Sequence, residues 1–574
     1  MKIMNKKLYH ICVRPKDDVQ KLILAMESNK PAKTGIPSGI ALVIDKGERL
    51  VGIVTDGDLR RGLAKGADLN DRVETVMNPK PFLIQGPKNT GAILSLIAEK
   101  NRLEHRAFGH FDKIVLTDDL GRPLDVLSVY DLWKSSDVRF RQIGVVGLGY
   151  VGLTLALTFA ELGFNVKGYD INDAVSKSLR SGQPHFFEQG LSKLLKDHIN
   201  RRFSVVDKFS DRDICDVYFL TVGTPLGKDG LPSTEHVVKA ARFIGKVIKR
   251  GDLVVLRSTV SIGTTRDSVI PILEELSGLK AGEGFLIAFA PERTIEGRAL
   301  EELRQLPQVV GGFNHASTEL TSNIFSFMTK SIVTVDSLEE AEMVKLVNNT
   351  YRAVTFTFAN EISLVAKRWG LDTRRVIHAA NFGYERSKVP FPSPGVGGYC
   401  LEKDPAIFSH SARSKGYEPM LFKHTSALSH KMLDHLADEI VAFLKKQKIS
   451  PAKATVSILG FAFKGTPANS DVRGSTTYGL IDRLKKQKIK NIFGYDPYVR
   501  KSDIDRTATY LVRPDAGIKK SDVIVVMNNN PHFAELDMRA YLEVMSRPVF
   551  LVDAWALYDI EDIGKLKHVV HYRL

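Results

Sequence analysis

Residues 141–172, RQIGVVGLGYVGLTLALTFAELGFNVKGYDIN, constrain the fold more than any other stretch of the chain. An apolar strand leads into the pattern G-x-G-x-x-G, formed by Gly147, Gly149 and Gly152, which opens an amphipathic helix and a second strand. Glycines at these places permit a tight turn and let a pyrophosphate approach the N-terminus of the helix. Asp170, eighteen residues after Gly152, can accept hydrogen bonds from ribose hydroxyls and repel a 2′-phosphate. The stretch therefore predicts a dinucleotide-binding α/β domain that prefers NAD to NADP.

The pattern of strands and helices continues to the end of the chain. Buried strands are predicted at DVYFLTVGTP, DLVVLRSTV and FLIAFAPE, and a second set begins at KATVSILGFAFKG. Between the two sets, residues 338–380 have a helical pattern with little β signal. We expect an α/β protein with two Rossmann-like, doubly wound domains joined by a helical middle.

The first quarter of the chain contains an internal repeat. ALVIDKGERLVGIVTDGDLRRGL at 41–63 and IVLTDDLGRPLDVLSVYDLW at 114–133 share a strand, a turn with Asp and Gly, a second strand and a hydroxyl residue three before an aspartate. These last pairs are Thr55 with Asp58 and Ser128 with Asp131. These side chains can either cap the following helix or bind a ribose and a phosphate at its N-terminus. The repeat resembles a tandem CBS pair, and that resemblance implies a regulatory adenine nucleotide or a purely structural, dimerising role.

Composition limits the remaining classes of function. Three cysteines do not form a disulfide framework, and no apolar run approaches the length of a membrane span, so a cytoplasmic protein is expected. The formal charge is +15, but lysine and arginine are dispersed, which favours a surface for small anionic ligands over nucleic-acid binding. No metal site is predicted.

Cys400 lies in PSPGVGGYCLEKDP, after three glycines and before three charged residues. In an NAD-dependent enzyme a cysteine at such a turn can add to an aldehyde and give a thiohemiacetal, whose oxidation gives a thioester for hydrolysis. A small buried cysteine in a tight turn is the alternative. In EEAEMVKLVNN, Glu342, Lys345 and Asn349 share one helix face. Lys345 and Asn349 are candidates to donate to a reacting oxygen, and a solvated stripe is the alternative.

The motifs GLGYVG, VGTP, STV, APERTIEG, AEMVKLVNN and GVGGYCLEKD occur in this order over residues 139–574. Together they resemble the UDP-glucose/GDP-mannose dehydrogenase family, the nucleotide-sugar 6-dehydrogenases. This resemblance implies an NAD-binding domain at 139–335, a helical dimerisation and substrate domain at 336–440, and a UDP-sugar-binding domain at 441–574. The separate CBS resemblance covers 1–135, and its fusion to the dehydrogenase departs from the usual layout of the family.

The resemblance also implies roles for individual residues. The implied catalytic residues are Cys400 as nucleophile, Lys345 and Asn349 as oxyanion donors, Asp404 in proton transfer and Glu292 in acid/base chemistry. The implied cofactor-binding residues are the three glycines with Tyr150, Val151, Asp170, Thr224, Ser258, Thr259, Glu296, Lys403 and Arg473. The implied substrate-binding residues are Glu292, Arg293, Lys345, Asn349, Arg386, Gly397 and Lys464, with Arg386 reaching the substrate of a neighbouring subunit.

The expected activity is oxidation of a nucleotide-sugar C6 alcohol to the uronate with two NAD per turnover, for precursors of surface polysaccharides. A UDP-N-acetylhexosamine or UDP-glucose is the expected substrate. GDP-mannose is the alternative enzyme substrate, and a catalytically silent CBS-linked nucleotide sensor is the alternative of another class. The segment from Lys464 to Arg473 is longer than usual for the family, and Gly474 stands where an acidic residue is frequent, which leaves the sugar open.

Overall fold

The structure, a computed structural model, describes residues 6–29, 36–81, 83–86, 113–128, 141–209, 215–386 and 388–574. Two compact units are present: Met1–Phe140 with the short segments Lys249–Asp252 and Glu283–Phe285, and the remainder of the chain. In the described ranges, no helix combines the length and the apolar character needed to cross a membrane.

The first unit contains two small sheets of the same design. In each, a parallel pair of strands is followed by an antiparallel hairpin strand, in the orders β1-β2-β3 and β4-β5-β6. The elements are β1 Cys12–Val13, α1 Val19–Ser28, β2 Ile40–Ile44, β3 Leu50–Thr55, α2 Asp56–Ala64, β4 Leu83–Gln85, β5 Lys113–Thr117 and β6 Pro123–Ser128. Leu42 and Ile53 of the first sheet share a buried cluster with Val115 and Val126 of the second. The sequence repeat thus gives one topology twice, packed around a common core.

The second unit begins with an eight-stranded sheet in the order β14-β13-β12-β11-β10-β7-β8-β9. Its strands are β7 Gln142–Val146, β8 Asn165–Tyr169, β9 Phe203–Val205, β10 Val217–Leu220, β11 Leu253–Leu256, β12 Leu286–Phe289, β13 Gln308–Gly312 and β14 Ile332–Val335. Its helices are α3 Tyr150–Glu161, α4 Asp173–Arg180, α5 Leu191–His198, α6 Glu235–Gly245, α7 Ile270–Ser277, α8 Ala299–Gln305 and α9 His315–Ser326. All neighbouring strands are parallel except β12 and β13. Strand order reverses between β7 and β10, where ligands bind at the carboxyl edge of such sheets.

The helical middle contains α10 Leu338–Arg368, α11 Thr373–Asn381, α12 Tyr399–Arg413 and α13 Met420–Lys446. The Ser337 side chain accepts the Glu340 N–H and caps α10, which runs for 31 residues. Leu346 of α10 packs against Ile407 and Phe408 of α12 in one buried cluster. This packing fixes α12, and with it the Cys400 turn, against α10.

The C-terminal part repeats the doubly wound design in a six-stranded sheet of order β17-β16-β15-β18-β19-β20. All its neighbouring strands are parallel. The elements are β15 Thr455–Leu459, α14 Thr476–Lys486, β16 Asn491–Tyr495, α15 Lys501–Ile504, β17 Thr509–Tyr510, α16 Asp515–Ile518, β18 Val523–Val526, α17 Pro531–Ala534, α18 Met538–Glu543, β19 Val549–Asp553, α19 Ile560–Gly564 and β20 Val569–Arg573. The predicted architecture of two doubly wound domains with a helical middle is confirmed.

A buried carboxylate ties α10 to the loop that follows β11. Glu342 is 1% exposed and accepts hydrogen bonds from the Gly263 N–H (2.6 Å), the Thr265 N–H (2.9 Å) and the Thr265 hydroxyl (2.6 Å). Burial raises its pKa to about 7. Because the folded protein holds this proton more tightly than the unfolded chain, where the pKa is about 4.3, the contribution to stability is complete at acid pH and is lost as pH rises towards 7.

Glu342→Gln mimics the protonated carboxyl and should remove this pH dependence. As pH rises from 5 to 8, we expect the melting temperature of the native protein to fall relative to that of the variant. The corresponding loss in the free energy of unfolding is about 3 kcal/mol or less. Thermal unfolding of both proteins across this range measures it. Glu339→Gln on the same helix is the control, because Arg266 lowers the pKa of Glu339 below this window. A constant difference between native protein and Glu342→Gln would contradict the assignment.

Candidate active site

A cavity of about 670 Å³ in the second unit brings together side chains from its three parts. Glu296 comes from the loop after β12, Lys345 from α10, Cys400 from the start of α12, and Lys464 from the loop after β15. Further lining residues are Arg352, Arg374, Phe391, Gly397, Asn529 and Trp555. Cys400 therefore opens onto a cavity with charged groups.

The turn before Cys400 is held by a backbone contact between two glycines. Gly398 has φ +97°, and its N–H donates to the Gly474 carbonyl at 2.9 Å. Gly474 has φ +64°, and a Cβ built there would lie 2.8 Å from the Tyr399 nitrogen. A side chain at 474 would thus be both strained and obstructed. The close approach explains why glycine stands here, where the family often has an acidic residue.

Cys400 lies in the first turn of α12, where backbone N–H groups favour a thiolate. Burial nevertheless raises the pKa of the Cys400 thiol, and the Asp404 carboxylate raises it further. Lys345 and Lys403 oppose this shift. In the empty cavity Cys400 is a thiol at neutral pH.

Lys345 is buried and forms no direct ion pair among the described residues, although its charge lies near enough to Glu292 to lower the pKa of that carboxyl. It is 8% exposed and lines the cavity beside Cys400, and within the described ranges it takes part in none of the ion pairs. The alternative of a solvated stripe is wrong, because Glu342 and Asn349 on the same face are each 1% exposed. A buried ammonium without a partner is suited to stabilise negative charge on a ligand oxygen.

Asn349 belongs to a chain of buried polar contacts. Its amide NH₂ donates to Asp404 Oδ2, while Lys403 Nζ contacts Asp404 Oδ1 at 2.6 Å and Thr224 Oγ1 at 3.5 Å. Arg352 donates to Asn349 Oδ1 at 2.6 Å, which orients the amide so that its NH₂ faces Asp404. Asp404 is fully buried, so a charged partner on one side and an amide on the other hold its carboxylate in place.

Glu292, predicted as the acid/base glutamate and a substrate ligand, is not among the side chains lining the cavity in the described part of the chain. Its Oε2 accepts from Arg257 Nε (3.0 Å) and Nη2 (2.6 Å), and its Oε1 accepts the N–H groups of Arg293 and Thr294. Burial alone would raise its pKa, but Arg257 and the Thr294 N–H hold it below the usual value. These contacts fit a structural ion pair, and the cavity-lining Lys345 also lies near enough to lower the pKa of Glu292.

Glu296, predicted to contact cofactor, instead lines the cavity and lies 3.4 Å from Lys464 Nζ. Two other carboxylates hold its loop. Glu302 accepts the Ile295 N–H at 2.8 Å. Glu188, 4% exposed, accepts the Gly297 N–H at 2.6 Å and the Ala299 N–H at 2.8 Å. Among the described residues, the structure thus brings Glu296, and not Glu292, to the wall of the cavity.

The glycine turn fits a dinucleotide. An ideal Cβ on Gly152 would lie 1.8 Å from the Gly147 carbonyl oxygen, so glycine is required there. Gly149 precedes α3 without a side-chain cap, and a Cβ on it would meet nothing within 4 Å. An open, uncapped helix N-terminus is suited to a pyrophosphate. Asp170 accepts the Leu148 N–H at 2.7 Å through Oδ2 and stays partly exposed, with lone pairs left for ribose hydroxyls.

Other predicted cofactor residues lie along the same carboxyl edge. Thr224 donates to the Thr259 carbonyl at 2.6 Å, and Ser258 donates to the Val222 carbonyl at 2.6 Å. Val151 lies in the first turn of α3. Beside it, the Arg473 guanidinium lies 5.2 Å from the Tyr150 ring centroid and pairs with Asp471. A cation thus stands near the helix N-terminus expected to receive pyrophosphate.

Several predicted residues are not brought to the cavity. Arg293 donates to the Pro307 carbonyl, and Arg386 is exposed beside Tyr384. In the first unit, the Thr55 hydroxyl and the Asp58 carboxylate form a reciprocal cap on α2, and Asp58 also pairs with Arg61 at 2.6 Å. Ser128 ends β6. Asp131 lies outside the described residues.

Sequence reasoning did not single out Arg257, Arg352 or Glu188. Arg257 has a weak signal, since an arginine directly after a run of buried apolar residues requires a buried partner. Arg352 follows Asn349 by three positions, so both lie on one side of α10. Glu188 carries no signal of this kind, because its partners are backbone groups more than one hundred residues away.

Comparisons with known proteins agree with this geometry. Models of the UDP-glucose/GDP-mannose dehydrogenase family match the chain with the NAD binding domain at 141–329, the central domain at 339–430 and the UDP binding domain at 457–560. A CBS domain model matches residues 2–65.

Individual relatives cover most of the second unit. UDP-N-acetyl-D-mannosamine dehydrogenase of Pyrococcus horikoshii is 31% identical over 71% of this chain and 94% of its own. A solved structure of the Pyrococcus horikoshii enzyme covers 75% of this chain and 98% of its own, at 29% identity and TM-score 0.68. A UDP-glucose dehydrogenase structure from Pyrobaculum islandicum covers 76% and 97%, at 28% identity and TM-score 0.66. With three consecutive domain matches and these relatives, the chain belongs to the UDP-glucose/GDP-mannose dehydrogenase family of NAD-dependent nucleotide-sugar 6-dehydrogenases.

Proposed function

We propose that the protein oxidises the C6 alcohol of a UDP-sugar to the uronate through covalent intermediates on Cys400. The observation that carries this proposal is the shared cavity of a thiol at a helix N-terminus and the buried, unpaired ammonium of Lys345. A dehydrogenase that stopped at the aldehyde would need no nucleophile beside the cation.

In the proposed sequence, the Cys400 thiol adds to the C6 aldehyde, and the former carbonyl oxygen gains a proton as the thiohemiacetal forms. Lys345, which lines the cavity, donates to that oxygen. Asn349, whose NH₂ donates to Asp404 and which is not among the described side chains lining the cavity, would have to turn towards that oxygen to act as the second donor. Gly147, Gly149, Gly152 and Asp170 would hold NAD, which would supply the hydride acceptor for the two oxidations. Glu296 removes a proton from the water that attacks the thioester and returns it to the sulfur, so that the C–S bond breaks and Cys400 leaves as the thiol. The paired Lys403 and Asp404 keep Asn349 in its orientation.

A UDP-N-acetylhexosamine is the proposed substrate, with UDP-glucose next. The support comes from relatives, which include UDP-N-acetyl-D-mannosamine dehydrogenase of Pyrococcus horikoshii and UDP-N-acetyl-D-glucosamine 6-dehydrogenase of Pseudomonas aeruginosa, 31% identical over 63% of this chain and 84% of its own. Lys464 and Gly397 line the cavity and are the proposed substrate contacts from the chain itself.

We also propose a homodimer formed through α10. This helix carries a stripe of exposed apolar side chains at intervals of four and seven: Met343, Val347, Tyr351, Phe358, Val365 and Trp369. Trp369 is 79% exposed in the single chain. Tryptophan is enriched at protein interfaces, so this exposure supports contact with a second subunit. Arg386 does not line the cavity of its own chain among the described residues, in keeping with a role in the neighbouring subunit.

An adenine nucleotide at the CBS pair stays a prediction. Thr55 and Asp58 satisfy each other as a helix cap, and Arg61 neutralises the carboxylate. A ligand at this place would have to share the Asp58 carboxylate with Arg61. The geometry therefore gives the capping role firmer support than the nucleotide role.

Cys400→Ser should stop complete turnover. We expect the native protein, assayed with NAD and each of UDP-N-acetylmannosamine, UDP-N-acetylglucosamine, UDP-glucose and GDP-mannose, to yield about two NADH per preferred sugar without free aldehyde. The serine variant should stall with the sugar attached, because an oxygen ester hydrolyses more slowly than a thioester. Absorbance at the NADH band and intact mass measure both outcomes. One NADH per sugar with released aldehyde, or full activity of the variant, would refute the covalent route.

The two glutamates should differ in the kind of defect that they cause. Glu296→Gln should give a rapid burst of about two NADH per site, followed by a steady rate lowered on the order of 10² to 10⁴-fold, because only thioester hydrolysis loses its base. Glu292→Gln leaves Arg257 buried without a charged partner, so it should lower the melting temperature without producing a burst. Stopped-flow absorbance and thermal unfolding distinguish these outcomes. An unchanged steady rate in Glu296→Gln would exclude its assigned role.

A further inference from the structure

The amino edge of the C-terminal sheet gathers a set of exposed lysines. Strands β16, β15 and β18 are parallel neighbours, so the residues that precede them and the ends of α13 and α14 lie along one edge. The exposed lysines there are Lys445, Lys446, Lys448, Lys453, Lys485, Lys486, Lys488, Lys490, Lys519 and Lys520. We refer to these ten residues as the lysine edge.

Part of the lysine edge is built by a repeated hexapeptide. The sequence LKKQKI occurs at 444–449 and at 484–489, where it ends α13 and α14 in the same way. The Ile449 N–H donates to the Leu444 carbonyl at 2.9 Å, and the Ile489 N–H donates to the Leu484 carbonyl at 3.0 Å. The two helix ends therefore close in the same way and carry equivalent lysines at the same edge of the sheet.

The third lysine of each repeat is in a left-handed conformation. Lys448 has φ +56° and Lys488 has φ +67°, at the position after a helix where glycine is strongly preferred. A side chain there costs stability relative to glycine. Favourable interaction with the helix dipole accounts for lysines in the last helical turn but fades beyond it. Stability of the fold thus does not explain why both repeats keep lysine at this position.

The positive charge of the lysine edge is not neutralised within the protein. Across the residues that the structure describes, none of the ten lysines is among the ion-pair partners, whereas at the next strand Arg547 pairs with Asp522 at 3.1 Å. The lysine edge therefore ends at β19, where Asp522 pairs with the cation that precedes this strand.

The lysine edge lies opposite the cavity. Lys464, Met527, Asn529 and Trp555, which line the cavity, follow the carboxyl ends of β15, β18 and β19. A five-residue strand separates the two edges by about 17 Å. A partner at the lysine edge can therefore be held without covering the cavity mouth of this domain.

We propose that the lysine edge docks the enzyme on a membrane surface rich in anionic lipid. Lysine is depleted in the cores of protein interfaces, where aromatic residues and arginine are enriched. Single-stranded nucleic acid is held by stacking aromatics, and neither hexapeptide contains an aromatic residue or an arginine. Flexible point charges on a cavity-free edge suit a diffuse layer of negative head groups, to which each lysine contributes about a fivefold factor in affinity.

Flotation of the full-length protein with phosphatidylcholine vesicles, with and without about one-third phosphatidylglycerol, tests this proposal. We expect binding to the anionic vesicles at low salt, its loss near 1 M salt because charges are then screened, and none to neutral vesicles. Equal binding to both vesicles, or no binding to anionic vesicles at low salt, would overturn it. Binding to a DNA duplex without binding to vesicles would do the same.

The left-handed lysines allow a test in which stability and binding move in opposite directions. The double variant Lys448→Gly with Lys488→Gly should melt at a higher temperature, bind anionic vesicles about thirtyfold more weakly, and keep the dehydrogenase rate in solution. A structural role for these lysines would instead lower the melting temperature. The control is Lys177→Gln with Lys196→Gln, which removes exposed lysines from the last turns of α4 and α5. Equal loss of vesicle binding in this control would show that net charge, and not the lysine edge, is responsible.

Discussion

The hydrogen bond from the Gly398 N–H to the Gly474 carbonyl joins the turn that carries Cys400 to the C-terminal domain. Both glycines have positive φ, and a Cβ at Gly398 would lie 2.8 Å from the Phe463 ring. Cys400 therefore lies where the helical middle and the C-terminal domain come into backbone contact. The position of Cys400 relative to Lys464, one residue after Phe463, depends on this approach. Any side chain at either glycine would separate the two parts and widen the cavity.

Buried charge organises the rest of the site in two ways. Arg257 with Glu292, and Lys403 with Asp404, are paired at 2.6 Å and act as fixed scaffolding. Lys345 forms no direct ion pair among the described residues and lines the cavity, where a ligand can become its partner. Carboxylates that accept backbone N–H groups, Glu188 and Glu302, hold the loop of Glu296 in place. The site thus combines a few charged side chains that have no direct partner with surrounding residues whose ion pairs and hydrogen bonds are complete.

The sequence sufficed for the fold because its hydrophobic period and turn chemistry determine it. The glycine turn predicted the unit of strand, helix and strand formed by β7, α3 and β8, and the helical pattern predicted α10. It also placed Cys400 and Lys345 together, through the resemblance. It did not show which of Glu292 and Glu296 would line the cavity, since both follow the same strand. The difference depends on Arg257, thirty-five residues earlier, and contacts across neighbouring strands require a register that sequence pattern does not give. Likewise, burial of Lys345 could not be told from a solvated stripe, because charge in a helix usually faces water.

A buried ammonium without a direct ion pair lowers the free energy of unfolding of the empty protein, since the ion has lost its hydration without full compensation. Lys345 is such a group. A ligand that brings negative oxygen into the cavity relieves this cost and adds its own binding energy to the folded state. The free energy of unfolding is therefore lower for the unliganded protein than for the liganded protein. With Lys345 in its proposed role, the lifetime of the protein against unfolding and proteolysis in a cell follows the supply of its substrate, so that abundance and demand are linked without a separate regulator.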